Sequence, residues 1–174
     1  MERQPSLGTI PLLEMPKELA FGAEEYAARL ARVRAAMAAA GLEVLLLHGL
    51  PNICWLTGFQ TPLCDWYHCL VVPAEGEPLL QCCDTELAQQ NSRLTKIAVV
   101  LWERMDEAGD QLAGLLRDLG GGGRRIGVEL RRPGLNAWTL ERLRAGLPDA
   151  ELVDASDLTP RLRAVKSPAE IDCM

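Results

Sequence analysis

Glu43-Val44-Leu45-Leu46-Leu47-His48-Gly49-Leu50-Pro51-Asn52-Ile53-Cys54-Trp55-Leu56-Thr57-Gly58-Phe59 is the stretch on which the fold turns. Glu43 to His48 reads as a short strand, apolar on both faces through Val44, Leu45, Leu46 and Leu47, which places it centrally in an α/β sheet. Gly49-Leu50-Pro51 turns the chain, about one helical turn follows, and Gly58 releases a loop at Phe59. Upstream, Tyr26, Leu30, Val33, Met37 and Ala40 recur at steps of four, three, four and three, the stripe of an amphipathic helix. With Gly22 as its N-cap, Glu25 is the third helical residue, and Phe21 and Tyr26 are set for a hydrophobic staple. Gly41 stops it. Pro5, Pro11 and Pro16 predict an irregular N-terminal arm over residues 1–20.

Downstream, His68 to Val72 and Pro78 to Cys82 flank Ala74-Glu75-Gly76-Glu77, the pattern of a hairpin. Asp84 caps a predicted helix through about Leu94, and Ile97 to Trp102 reads as a strand. Ala108, Leu112, Leu115, Leu116 and Leu119 form a second helical stripe, ending at Gly120-Gly121-Gly122-Gly123. Arg125 to Leu130 is then a strand, Asn136 to Ala145 a helix, and Glu151 to Val153 a short strand. A basic helix runs from a Ser156 or Asp157 cap to about Val165. Ser167-Pro168-Ala169-Glu170 sets Ser at the N-cap, Pro at the first helical position and Glu at the third. So well capped a helix, with so few residues behind it, predicts that the chain continues past Met174.

Over its 174 residues the chain carries 18 Lys+Arg against 24 Asp+Glu, a net charge of −6, with 48% hydrophobic residues. That is the balance of a folded globular domain that needs no staple. The acidic excess excludes a nucleic-acid-binding surface, which requires clustered cations. No run approaches the roughly eighteen apolar residues of a membrane span, and the N-terminus has no apolar signal region. Cys54, Cys64, Cys69, Cys82, Cys83 and Cys173 sit in or beside apolar runs, as free thiols do in a reducing cytosol. The expected location is cytoplasmic.

The residues for chemistry are few. The four glycines follow a helix and precede a strand, the reverse of a phosphate loop, and read as a C-cap turn. Cys64, His68, Cys69, Cys82 and Cys83 lack a C-x2-C knuckle, and adjacent cysteines on a strand face opposite sides, so no zinc site is assigned. There is no G-x-S-x-G elbow, and only His48 and His68 are available as bases. His48 reads as a hydrogen-bonded structural residue. His68 is either a ligand contact or a strand-start residue with aromatic neighbours. Gln60-Thr61-Pro62-Leu63-Cys64-Asp65-Trp66-Tyr67 gathers two aromatics and an acid outside regular structure. It is either an interface loop or a loop folded over the core.

Taken together, several segments resemble the N-terminal domain of the creatinase/prolidase/aminopeptidase P family. They are Glu25-Tyr26-Ala27-Ala28-Arg29-Leu30; Pro51 to Phe59, which looks like the family's NI-x-Y-x-T-G-F; Arg125-Ile126-Gly127-Val128-Glu129; Val153-Asp154-Ala155-Ser156; and Leu162 to Ile171. The last is similar to R-x-V-K-S-P-x-E-I, the junction between the family's two domains. Trp55 replaces the commoner Tyr, and Gly22 stands where Ser or Thr usually caps the helix.

The resemblance implies an α/β fold: a mixed sheet of about six strands with flanking helices, ribonuclease H-like. It divides the chain into the arm at 1–20, the domain at 21–165, and at 166–174 the start of a C-terminal catalytic domain. In that following domain, family members hold two divalent ions (manganese, cobalt or zinc) on two Asp, one His and two Glu, or work without metal. No catalytic residue and no metal ligand is therefore expected here, and Asp and Glu are expected on solvated helix faces and turns. The first domain serves as a lid and dimerisation element, so Phe59, Gln60, Asp65, Trp66 and His68 are nominated as substrate-pocket or interface residues. The implied parent is a Xaa-Pro dipeptidase acting as a homodimer on a short proline-containing peptide. Two alternatives remain: a creatinase-like or ectoine-hydrolase-like enzyme cleaving a small amide, or a stand-alone binding module.

Overall fold

The computed structural model describes residues 19–62, 66–83, 92–94, 96–100, 102–120 and 124–174. Helix α1, Ala23–Ala39, begins after Gly22 with the Phe21 and Tyr26 rings edge-on at 6.2 Å, the staple expected there. Tyr26, Val33 and Met37 of its stripe are buried, but Ala40 is exposed and the stripe is completed by Arg29. Strand β1, Val44–Leu47, is wholly buried. Helix α2, Leu50–Thr57, is two turns long where one was expected, and ends at Gly58 with φ 79°. There a Cβ would lie 2.9 Å from the Tyr26 hydroxyl, so only glycine fits.

Strands β2, His68–Pro73, and β3, Leu79–Cys82, form the hairpin. The helix expected from Asp84 falls outside the described residues up to 91, and Ser92 to Leu94 are not helical. Strand β4, Lys96–Val99, is shorter than expected: Trp102 opens a 3-10 helix, Trp102–Glu107, that leads into α3, Ala108–Asp118. The remaining elements are β5, Arg125–Val128; α4, Ala137–Gly146, capped by the Asn136 side chain; β6, Glu151–Asp154; α5, Leu158–Ala164; and α6, Pro168–Asp172. Asp157 precedes α5 without a side-chain capping bond, whereas Ser167 and Glu170 form the full reciprocal capping box of α6.

The six strands lie in the order β4-β3-β2-β1-β5-β6. The β1–β2 and β2–β3 pairs are antiparallel; the β1–β5, β5–β6 and β3–β4 pairs are parallel. This is the mixed sheet expected, with β1 central. Alternate residues along each strand feed two cores. Leu45, Leu47, Leu70 and Val72 pack with Val33 and Met37 of α1 and Ile53 and Leu56 of α2. Val44, Leu46 and Val71 pack with Leu112 and Leu116 of α3 and Leu143 of α4. Because β1 supplies both layers, its C-terminal end, where the chain turns into α2, is fixed from both sides.

Candidate functional site

The turn from β1 into α2 brings backbone N–H groups to the sheet edge, and Gly49 at the N-cap has no side chain to satisfy them. Glu129, one residue past β5, does so across the parallel pair. Its Oε2 accepts from His48 N at 2.9 Å and Gly49 N at 2.7 Å. Its Oε1 accepts from Asn52 Nδ2 at 2.5 Å, while Asn52 Oδ1 accepts from Arg163 Nη1 at 2.7 Å. Glu129 is fully buried, which corrects the expectation that the acidic residues are solvated. Burial holds its carboxyl above the usual range, opposed by those three N–H donors and by nearby Arg132. The carboxylate is thus committed to capping α2.

Beside this cap lies a cleft of about 530 Å³, lined by Leu50, Pro51 and Cys54 of α2, by Phe59, Gln60 and Thr61 after it, and by His48, Gly49 and Pro133. Of the residues nominated from the resemblance, Phe59 is fully buried and Gln60 is exposed at the cleft. Trp66 is half-buried. His68 is buried at the start of β2, its ring 5.3 Å from that of Phe59. The structure therefore brings Phe59, Gln60 and His68 together; Asp65 lies outside the described residues.

His48 is the hydrogen-bonded residue expected: its Nδ1–H donates to His68 O at 3.1 Å. Its ring lies 5.8 Å from Tyr67, whose hydroxyl donates to Gln81 Oε1 at 2.9 Å. Burial lowers the His48 pKa to about 4, partly offset by the His68 carbonyl. Burial likewise raises the Tyr67 hydroxyl and the Cys54 thiol. At neutral pH these three groups are uncharged, so none of them offers a charged nucleophile beside the cleft. Among the described residues, no three His, Cys, Asp or Glu side chains converge as metal ligands.

Glu129, Asn52 and Arg163 were not singled out as site residues, yet each lies in a different one of the segments that carry the family resemblance. Their common occurrence in those segments was the available signal.

The chain is similar to known proteins along most of its length. It is 32% identical to ectoine hydrolase of Halomonas elongata over 165 residues, covering 90% of this chain and 41% of that protein. It is 34% identical to the probable dipeptidase PepE of Mycobacterium tuberculosis over 156 residues, covering 88% of this chain and 40% of that protein. The chain thus spans about two fifths of the length of both relatives. Among solved structures, the N-terminal domain of the cytoplasmic peptidase PepQ from Mycobacterium tuberculosis matches with a TM-score of 0.61 at 27% identity. That match covers 78% of this chain and 98% of the PepQ domain. No helix among the described residues is long and apolar enough to cross a membrane. The family model of the creatinase/prolidase N-terminal domain matches residues 29–165, and the chain belongs to that family.

Proposed function

We propose that this chain is the non-catalytic N-terminal domain of a metallohydrolase, a Xaa-Pro dipeptidase that cleaves a short peptide before proline, and that it shapes the substrate pocket and the dimer. The observation that carries this reading is the cleft formed by α2 and the Phe59–Thr61 segment, on the same residues that resemble the family's T-G-F motif. It is apolar along Leu50, Pro51 and Phe59 and polar at Gln60 and Thr61, a lining suited to an uncharged side chain beside a peptide group. Phe59, Gln60, Asp65, Trp66 and His68 are the proposed pocket or interface residues. Residues 21–165 form the domain, and 166–174 open the catalytic half, which holds two ions of manganese, cobalt or zinc in this reading. Those ions would supply a metal-activated water and polarise the scissile carbonyl there. The protein works as a cytoplasmic homodimer.

The 32% identity to an ectoine hydrolase supports a second reading, in which the parent cleaves a small amide instead. A substrate panel separates them: the protein extended by its catalytic half is assayed with manganese on Ala-Pro, Gly-Pro and ectoine. The dipeptidase reading expects turnover of the dipeptides and, in Gln60→Ala and Trp66→Ala variants, a rise in KM of about tenfold. Unchanged KM and kcat in both variants would remove these residues from the pocket. Turnover by residues 1–174 alone would overturn the assignment as non-catalytic.

A further inference from the structure

Arg29 lies in the middle of α1 on a sequence that reads as a charged helix face, yet it is only 2% exposed. Its guanidinium sits 4.2 Å from the Phe21 ring centroid and 5.3 Å from those of Tyr26 and Trp55. A cation so enclosed needs partners for its donors. Nε donates to Glu25 Oε1 at 2.8 Å, Nη1 to Trp55 O at 2.7 Å, and Nη2 to Glu170 Oε1 at 3.2 Å. Glu170 Oε1 also accepts the Trp55 indole N–H at 2.6 Å, and Glu170 Oε2 accepts Ser167 N–H at 2.8 Å. Ser167 Oγ closes the ring by donating to Glu25 Oε1 at 2.9 Å while accepting Glu170 N–H at 3.2 Å.

The capping box of α6 is therefore built into α1 and α2. A capping box needs only its own two side chains; here both are also bonded to residues 115 to 142 positions away in sequence. Local helix stability gives no reason for those extra bonds, but fixing the direction of the helix does. α6 itself buries no side chain, and Val165, Ile171 and Met174 around it are exposed, so apolar packing does not hold it. What holds it is polar and directional. α2 carries Trp55 toward α6, Asn52 toward Arg163 of α5, and Leu50, Pro51 and Cys54 toward the cleft. One two-turn helix thus touches both the exit of the chain and the pocket wall.

We propose that Arg29, Trp55 and Glu170 form an orientation latch that fixes the direction in which α6 leaves the domain and ties it, through α2, to the cleft. This rests on the reading that a catalytic half follows α6; Arg29 and Trp55 are then positioning residues, acting through Glu170.

The test uses the 174-residue chain and measures orientation directly, by residual dipolar couplings of the backbone amides, in wild type, Trp55→Phe, Glu170→Gln and the double variant. Trp55→Phe keeps the ring over Arg29 and removes only the indole donor; Glu170→Gln keeps the shape and removes the charge. Trp138→Phe, which removes an indole N–H bonded to Asp106 O far from the latch, is the control. The expected result is that couplings of residues 169–172 shrink about twofold or more in both single variants while those of α1 to β6 hold, as for a segment that opens locally. The double variant is expected to go no further than the larger single effect, because both remove one unit. Unchanged α6 couplings in both variants would overturn the latch. So would loss of the whole fold in both, since the ring would then be part of the core and not a separable device. None of these readouts involves activity, so failure of the dipeptidase reading leaves the result standing.

Discussion

At the scale of single residues, the chain places ionisable groups where burial shifts them in opposite directions. His48 is held neutral, with a pKa lowered by burial to about 4 from the ordinary 6.5. Its contribution to stability is complete above pH 6.5 and is lost as pH falls toward 4, an effect of roughly 3 kcal/mol for such a shift. Glu129 acts in the other sense: burial raises its pKa, so stability from this group grows as pH falls through its folded value toward 4.5. Urea midpoints measured from pH 7 to 4 should therefore decline less steeply in His48→Asn, which keeps a donor for His68 O and does not titrate. Equal slopes would show that His48 takes up its second proton as readily in the fold as in the unfolded chain. Glu129→Gln probes the cap itself. The new amide oxygen takes the His48 and Gly49 N–H groups, which turns the new NH2 onto the Asn52 NH2. Asn52 cannot flip to relieve this, because its oxygen is held by Arg163. A buried donor is left unpaired, and the expected loss is about 2 kcal/mol in urea unfolding at pH 7.

At the scale of elements, α3 and α4 cross closely enough that Gly109 acts as a spacer while Gly114 does not. A Cβ on Gly109 would meet Thr139 O at 2.5 Å and Arg142 Cβ at 2.8 Å, whereas on Gly114 the nearest atom is an Arg117 nitrogen at 3.8 Å. Helix propensity alone favours alanine at both by up to about 1 kcal/mol. Gly114→Ala should therefore stabilise by about that amount, and Gly109→Ala should destabilise by about 1–3 kcal/mol as the helices are forced apart. Thermal denaturation of the pair checks it: equal shifts would mean the helices yield freely. Such differences mark what the sequence makes legible. β1 reads correctly because an apolar run of four residues between Gly41 and Gly49 is too short for a buried helix and suits a strand covered on both sides. The α6 cap reads correctly because its determinants span four adjacent residues. Arg29 and Glu129 do not, since their local patterns are those of a helix surface and a strand end. Their partners are contributed by chain up to 141 residues away, so only the folded register reveals them. The cleft was legible only in part: Phe59 ends the motif and Gln60 opens the loop after it, but nothing local shows that the Glu129 carboxylate turns inward to set the helix behind them.

At the scale of the whole molecule, the question is where this domain ends. The resemblance draws the line at Val165; α6 buries no side chain, and both Val165 before it and Ile171 within it are exposed. By area alone, cutting the chain there removes nothing the core needs. The polar contacts argue the opposite. Removing residues 166–174 takes Glu170 from Arg29, leaving a guanidinium that is 2% exposed with Glu25 as its sole carboxylate among the described residues. The Trp55 indole N–H loses its acceptor, and Glu25 loses the Ser167 hydroxyl. Breaking one arm of a buried ion pair is costly because the other charge stays behind. Glu25 and the Trp55 carbonyl still hold the guanidinium, so the expected loss is toward the low end, about 1–3 kcal/mol. The m-value, which follows the area exposed on unfolding, should barely change. Urea unfolding of residues 1–165 beside residues 1–174 decides it. A lower midpoint at equal m places Ser167 and Glu170 inside the folding unit, whereas equal midpoints place the boundary at Val165. The first outcome would mean that the folding unit reaches through α6, whose cap is anchored in α1 and α2 while Ile171 is turned away from them.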